Sequence, residues 1–349
     1  MGFLTEDERG QLRIESMILH VVGEEEFDPQ PARVVEHANF FIGRILDTDT
    51  AAVYQFKEVS GSRDRLQNMA TGAITFEAGA QDLSREFSRQ HGTTTRDGAF
   101  FIFDLRTDDA NVRVYSLIKY DYREAIEQSK DEDGQQRLRR IIHAFIDDKK
   151  AIQKAALIRV VNGLAETMVA TRDRTKSAPE IADYFATFLD VERTRSDDEL
   201  NRGLVEALRK TLLDCKDLLP NNDVASALQQ AKGMLRDRQQ IDEEAIVDAV
   251  IAAAGHPADE ETKTLLRRRT TQKLRTQRLT GLAFPPDRQV LRRPPLRKIR
   301  TTEGVTVTYP DEINAVRVQR TPNPAGEGEV ITITTDRIVE DTVVPDRAR

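Results

Sequence analysis

The spacing of apolar residues changes twice along this chain, and each change marks a boundary. In the first half the apolar positions alternate or run together. Residues 15–22 (containing SMILHVV), 51–57 (AAVYQFK) and 164–171 (LAETMVAT) read as strands. The clearest hairpin is AFFIFDL at 99–105 and VRVYSLIKY at 112–120, joined by the turn-forming RTDDAN. Two helices are interleaved with these strands. One is expected over 28–41, with Pro31 in its first turn and Val34, Val35, Ala38 and Phe41 on one face. The other spans 75–89, with Phe76, Leu83 and Phe87 inward. Residues 64–74 are polar and carry no clear period. Residues 138–161 begin with a helical period and end in AALIRVV, which suits a buried strand.

After Ser177 the period becomes helical. Pro179 is placed to open a helix whose Ile181, Tyr184, Phe185, Phe188 and Leu189 share a face. Ser196 and Glu199 have capping-box spacing at the next, which carries a Leu200, Leu204, Leu208 and Leu212 stripe and ends before Pro220. A third helix covers 223–235. A fourth is capped by Asp242, stapled by Ile241 and Ile246, and stops at Gly255 before Pro257. A fifth starts near Asp259. Strict alternation returns in VTVTY (305–309), AVRVQ (315–319) and EVITITT (329–335), with PNPAGEG as a loop, and predicts one small antiparallel sheet. The expected fold class is α+β: an N-terminal α+β domain at 1–176 built on a mixed antiparallel sheet, a helical region at 177–262, and a basic segment with a small β-sheet at 263–349.

Composition adds limits. At 349 residues, with 39% hydrophobic and 32% charged positions, the chain has room for several modest cores. No run of 18 apolar residues occurs and no apolar leader opens the chain, so neither a membrane partner nor secretion is expected. Cys215 is the only cysteine; it can make no internal disulfide, which fits a reducing cytoplasm, and it reads as a small buried residue.

Charge changes the picture most. The net charge is −7, yet residues 263–300 hold thirteen Lys and Arg against one acid, Asp287. That stretch is +12, which leaves −19 on the remainder. A localised cationic band on an acidic protein calls for a polyanion, most commonly nucleic acid. The candidate contacts are Arg267, Arg268, Arg269, Lys273, Arg275, Arg278, Arg292, Arg293, Arg297, Lys298 and Arg300. Pro285, Pro286, Pro294 and Pro295 confine any helix to the first half of the band, and Phe284 is its single aromatic, so base stacking is a minor contributor. Two other destinations for the band stand beside DNA. It can pair with acids of its own chain, or dock an acidic protein as an adaptor.

Catalytic signatures are missing. There is no phosphate-binding glycine loop, no G-x-S-x-G elbow, and the five His show no metal spacing, so no cofactor or metal is implied. A nuclease of the restriction-enzyme type needs an acid on one strand, then an acid and a lysine two apart on the next. Asp104 and Lys119 supply two members, but Leu117 stands where the second acid belongs. Asp131, Asp133 and Gly134 resemble a calcium loop without its later ligands.

One stretch is more specific. Residues 182–208, ADYFATFLDVERTRSDDELNRGLVEAL, place paired aromatics on a helix, a Phe-Leu-Asp-Val exit, and Asn201-Arg202-Gly203-Leu204 in the next helix. With YSLIKYDYREA and LAETMVATRDR upstream, this resembles the bacterial nucleoid-associated protein family known as NdpA or YejK. The resemblance implies a cytoplasmic, nucleoid-located, DNA-binding protein with no agreed catalytic residues. The Arg run here is longer than the family pattern. Asn201 and Arg202 match the most recognisable motif, and two roles stand open for them: bonding the preceding loop to fix the angle between two helices, or a phosphate contact from Arg202. The combined expectation is a largely sequence-independent binder of double-stranded DNA. A homodimer formed through an exposed C-terminal sheet edge, and a role as sensor or effector in defence against mobile DNA, are further expectations.

Overall fold

The structure, a computed structural model, describes residues 2–23, 26–90, 98–121, 123–130, 136–146, 148–324 and 326–342. The calcium-like Asp131, Asp133 and Gly134 lie outside the described residues.

The first half contains α1 (Glu6–Gln11), β1 (Arg13–Val22), α2 (Ala38–Leu46), β2 (Tyr54–Phe56), α3 (Gly61–Thr71), α4 (Phe76–Gln90), β3 (Gly98–Arg106), β4 (Val112–Tyr120), β5 (Arg123–Lys130), β6 (Gln136–Ala144), β7 (Ile152–Val161), β8 (Leu164–Ala165) and β9 (Met168–Asp173). Then follow α5 (Asp183–Leu189), β10 (Val191–Arg193), α6 (Asp197–Asp214), α7 (Val224–Arg236), α8 (Glu243–Ala253), α9 (Glu260–Thr276) and α10 (Arg288–Arg292). The chain finishes with β11 (Leu296–Arg300), β12 (Thr306–Pro310), β13 (Val318–Pro322) and β14 (Glu329–Ile333). The α+β class is as expected.

The main sheet is antiparallel, in the order β1-β3-β4-β7-β9-β2-β10, with β8 paired to β7. Both of its faces are covered, which explains why β3 reads as a continuous apolar run instead of alternating. On one face Phe87 of α4 stacks on Phe100 at 4.1 Å between ring centroids, beside Phe185 and Phe188 of α5. On the other, Phe3, Leu4, Phe41 and Ile45 cover Phe101 and Phe103. The core of the first face continues without a break into α6–α9, where Leu200, Leu204, Leu208 and Leu212 are all buried.

The helical half starts where its caps place it. Ser196 and Glu199 form a reciprocal capping box, and Asp223, Asp242 and Asp259 each accept backbone N–H groups at the heads of α7, α8 and α9.

Three expectations are corrected. Residues 28–37 are not helical; Arg33 N–H donates to Met17 O at 2.9 Å, and the helix begins only after His37. Pro29 and Pro31 hold the residues before them extended, and Val34 is 83% exposed instead of facing a core. The front of 138–161 is strand β6, paired with β5; a cross-strand partner overrides the local helical period. The C-terminal region forms two separate hairpins, β11–β12 and β13–β14, not one sheet. The missed strand, β11, lies inside the basic band immediately after Pro294 and Pro295.

Candidate nucleic-acid interface

The basic band folds into three elements. α9 carries the first part. Asp259, Glu260 and Glu261 sit at its N-terminal end and Lys273 and Arg275 in its last turn, matching the helix dipole. Leu266, Thr270 and Leu274 are buried against α6 and α8. The residue types that remain outward are cationic: Arg267, Arg268 and Arg275 are exposed. Arg268, Gln272 and Arg275 follow i, i+4, i+7 spacing, a stripe about 10 Å long. Together with Arg269 and Thr271 they line a shallow groove of about 540 Å³.

α10 carries the second part. Asp287 caps it, accepting from Gln289 and Val290 N–H at 2.8 and 3.1 Å. Val290 and Leu291 are buried, so α10 packs on α6 and α7 while Arg288, Arg292 and Arg293 point outward. β11 carries the third part, with Lys298 and Arg300 exposed.

None of the thirteen cations is buried. Five are engaged with the protein's own acceptors. Lys263 pairs with Glu260, Lys273 with Asp214, Arg275 with Glu6, and Arg297 with both Asp311 and Asp223. Arg269 donates to Asp214 O and lies 3.6 Å from Cys215 Sγ. Cys215 is buried, and that burial pushes its thiol above the ordinary range. Arg267, Arg268, Arg278, Arg288, Arg292, Arg293, Lys298 and Arg300 have no carboxylate within 4 Å among the described residues. Internal pairing therefore takes up a minority of the band, and Arg297 is the member most fully committed to it.

The motif singled out in the sequence sits beneath the turn between α9 and α10. Asn201 is fully buried. Its Nδ2 donates to Asp197 O at 2.8 Å and to Pro285 O at 3.0 Å, and its Oδ1 accepts from Asp287 N–H at 3.0 Å. Two of those bonds reach more than 80 residues along the chain to fix the start of α10. Arg195 donates to Arg278 O at 2.9 Å and to Gln277 O at 3.4 Å, which satisfies carbonyls at the end of α9. A Cβ at Gly203 would stand 3.2 Å from the Arg195 guanidinium, so glycine leaves that side chain its place. Arg202 differs: its side chain is 63% exposed and pairs with Asp198 at 2.8 Å along the helix. Asn201 thus holds a loop, but the distant one entering α10, not the one that precedes its own helix.

The turn is pinned from the other side too. Ala51 N–H donates to Thr280 O, and Ile241 and Phe284 exchange backbone bonds at 2.9 and 3.0 Å. Gly281 has φ +69°, and a Cβ there would meet Asp49 O at 2.9 Å. Phe284 is fully buried, so it presents no ring to a base.

The nuclease pattern also has a geometry. Asp104 faces Tyr115 across β3–β4, whereas Lys119 faces Phe100. The two therefore stand four residues apart along the strands, about 13 Å. Asp104 is buried beside Arg113 at 2.9 Å, and its burial outweighs Arg113 and Arg106 to raise its carboxyl to about 6. Among the described residues no group of His, Cys, Asp or Glu is arranged to hold a metal ion.

Sequence reading passed over an ionic pair within the main sheet. Lys154 on β7 and Asp173 on β9 are cross-strand neighbours, both buried and ion-paired. Asp173 also accepts from Thr175 and from Ala182 N–H at 2.9 Å, and Lys154 Nζ lies 4.8 Å from the Tyr184 ring centre. Burial opposes the Asp173 charge, but these donors outweigh it and hold the carboxyl below its usual range. The available signal was a lysine in a mostly apolar buried strand. Among the described residues no helix is long and apolar enough to cross a membrane.

A family model, nucleoid-associated protein YejK, matches residues 18–332. No curated protein matches the chain.

Proposed function

This chain belongs to the nucleoid-associated protein YejK family, and from that membership we propose that it binds double-stranded DNA through its C-terminal basic band, largely without regard to sequence. The observation that carries this reading is the set of eight exposed cations, on α9, at and just after α10, on β11 and at Arg278, that have no carboxylate within 4 Å among the described residues. They sit on a chain whose remainder is −19, so phosphate is attracted at the band and repelled on average by the rest.

The mode is backbone contact. Side chains of this kind neutralise phosphates and release counterions, whereas sequence reading needs groups aimed at base edges. The buried Phe284 gives no stacking platform, which favours duplex over single strands. The reading is of a binding protein located at the nucleoid, not of a catalyst. Apart from the buried Val318 the hairpin β13–β14 is largely exposed, with Val330 and Ile333 open, and an isolated two-stranded sheet is marginal; pairing with a second copy would cover it, and sedimentation that finds only monomer at high concentration argues against this.

The test of DNA binding is a titration with random-sequence duplex at several salt concentrations. Arg267, Arg268, Arg292 and Arg293 replaced together by Gln remove exposed cations without touching an internal ion pair. The expected result is uniform weakening on all duplexes and a log–log salt slope reduced by about 0.9 for each phosphate lost. Unchanged affinity and slope in that variant overturn the assignment.

A further inference from the structure

A second cationic cluster lies far from the band in sequence. Lys149 and Lys150 occupy the turn before β7, Arg172 is the exposed position of β9, and Arg174 and Lys176 follow it. β7 and β9 are antiparallel, and Lys154 faces Asp173, so the start of one strand lies beside the end of the other. Arg174 N–H donates to Gln153 O at 2.8 Å and closes the juxtaposition. Five cations separated by more than twenty residues of chain are thereby gathered on one lip.

That lip borders a cleft of about 820 Å³ whose far wall is the 281–285 turn, the middle of the basic band. Acids also line the cleft, and four of them are hydrogen-bonded or ion-paired. Asp173 is held by Lys154 and Thr175, Asp242 caps α8, Glu243 accepts from Thr271 at 3.0 Å, and Glu180 pairs with Arg193. Only Glu244 among the lining acids has no partner among the described residues. On the cationic side Arg174 pairs with Asp121 at 2.9 Å, and Arg172 donates to a carbonyl, Asp47 O, which leaves its charge uncompensated. Lys149, Lys150 and Lys176 have no carboxylate partner among the described residues. Asp242, Glu243 and Glu244 have no cationic partner among the described residues, so four unpaired cations (Lys149, Lys150, Arg172 and Lys176) face three unpaired acids, with the cations gathered on one lip.

We propose that Lys149, Lys150, Arg172 and Lys176 form a second phosphate-contact site for duplex DNA, so that the sheet and the basic band engage the backbone together. The inference rests on the DNA-binding reading above and enlarges its footprint. Among the described residues the cleft lining holds no aromatic side chain, which argues against base stacking and with it against a nucleotide or single strand. The cations stand exposed on the rim, where a duplex too wide to enter the cleft still reaches them.

The experiment compares wild type, K149Q/K150Q/K176Q and E244K in duplex titrations from 50 to 200 mM salt. Each replaced lysine is exposed and makes no side-chain bond among the described residues, and an unchanged unfolding midpoint verifies the fold. Loss of three phosphate contacts lowers the salt slope by about 2.7, so the wild-type advantage shrinks roughly 40-fold across that range. E244K, which adds a cation at the same cleft, tightens binding and steepens the slope. An unchanged slope in the triple variant, with the slope reduced in the Arg267/Arg268/Arg292/Arg293 variant, overturns this second site and leaves the DNA-binding reading intact. Absence of duplex binding by the wild type overturns both.

Discussion

Replacing Asn201 by Ala separates the two roles open to the family motif. The side chain is fully buried and makes three hydrogen bonds, two of them to the segment that starts α10. Truncation leaves the Pro285 carbonyl and the Asp287 N–H without their partner. At about 1 kcal/mol net per bond, with extra cost for groups left unsatisfied, the expected loss is roughly 2–4 kcal/mol. Asn201→Asp is expected to be worse than Ala, because it sets a carboxylate against the Asp197 and Pro285 carbonyls that now accept from Nδ2. Arg202→Ala removes only an exposed pair with Asp198 and is expected to cost about 0–0.5 kcal/mol. Urea unfolding of the three variants measures these differences, and duplex titration in parallel reads binding. The reasoning fails if Asn201→Ala leaves the midpoint in place, or if Arg202→Ala proves the more destabilising of the two.

Asp173→Asn leaves the Lys154 ammonium buried without its counter-charge, and a loss of about 3–5 kcal/mol is expected; Asp173→Asn with Lys154→Met recovers much of it in the same unfolding assay. Asp104 gives a pH signature. Its folded carboxyl, raised to about 6 by burial, lies above the unfolded value of 3.8, so the folded state holds the proton more tightly. Its contribution to stability is therefore present below about 4 and is lost as pH rises to about 6, by roughly 3 kcal/mol. His20, whose burial lowers its pKa to about 4, acts in the opposite sense over an overlapping window. The difference between wild type and Asp104→Asn across pH 4–7 isolates the carboxyl, and a flat difference curve refutes the assignment.

Signals within a few residues of one another were legible in the chain itself. Ser196 with Glu199, and Asp223, Asp242 and Asp259, announce helix starts because a cap satisfies N–H groups two or three residues on, and the structure finds each in that act. The AFFIFDL and VRVYSLIKY hairpin was equally plain, because strand-forming runs flank a tight turn. The motif around Asn201 and the total charge of the band also needed only the residues.

Tertiary structure decided whatever depended on a distant partner. The 138–144 segment became a strand because β5 lies beside it, and LRKIR became β11 because 306–310 does. Local period carries no record of a partner's position. The same holds for charge. Thirteen cations could be counted in the sequence, but which ones meet Asp214, Glu6, Asp223 or Asp311 is a matter of three-dimensional proximity. Lys149 and Lys150 are adjacent but lie far from Lys176 in the chain; antiparallel pairing of β7 with β9 brought the three together. Coulomb energy follows separation in space, and only the folded chain fixes that separation.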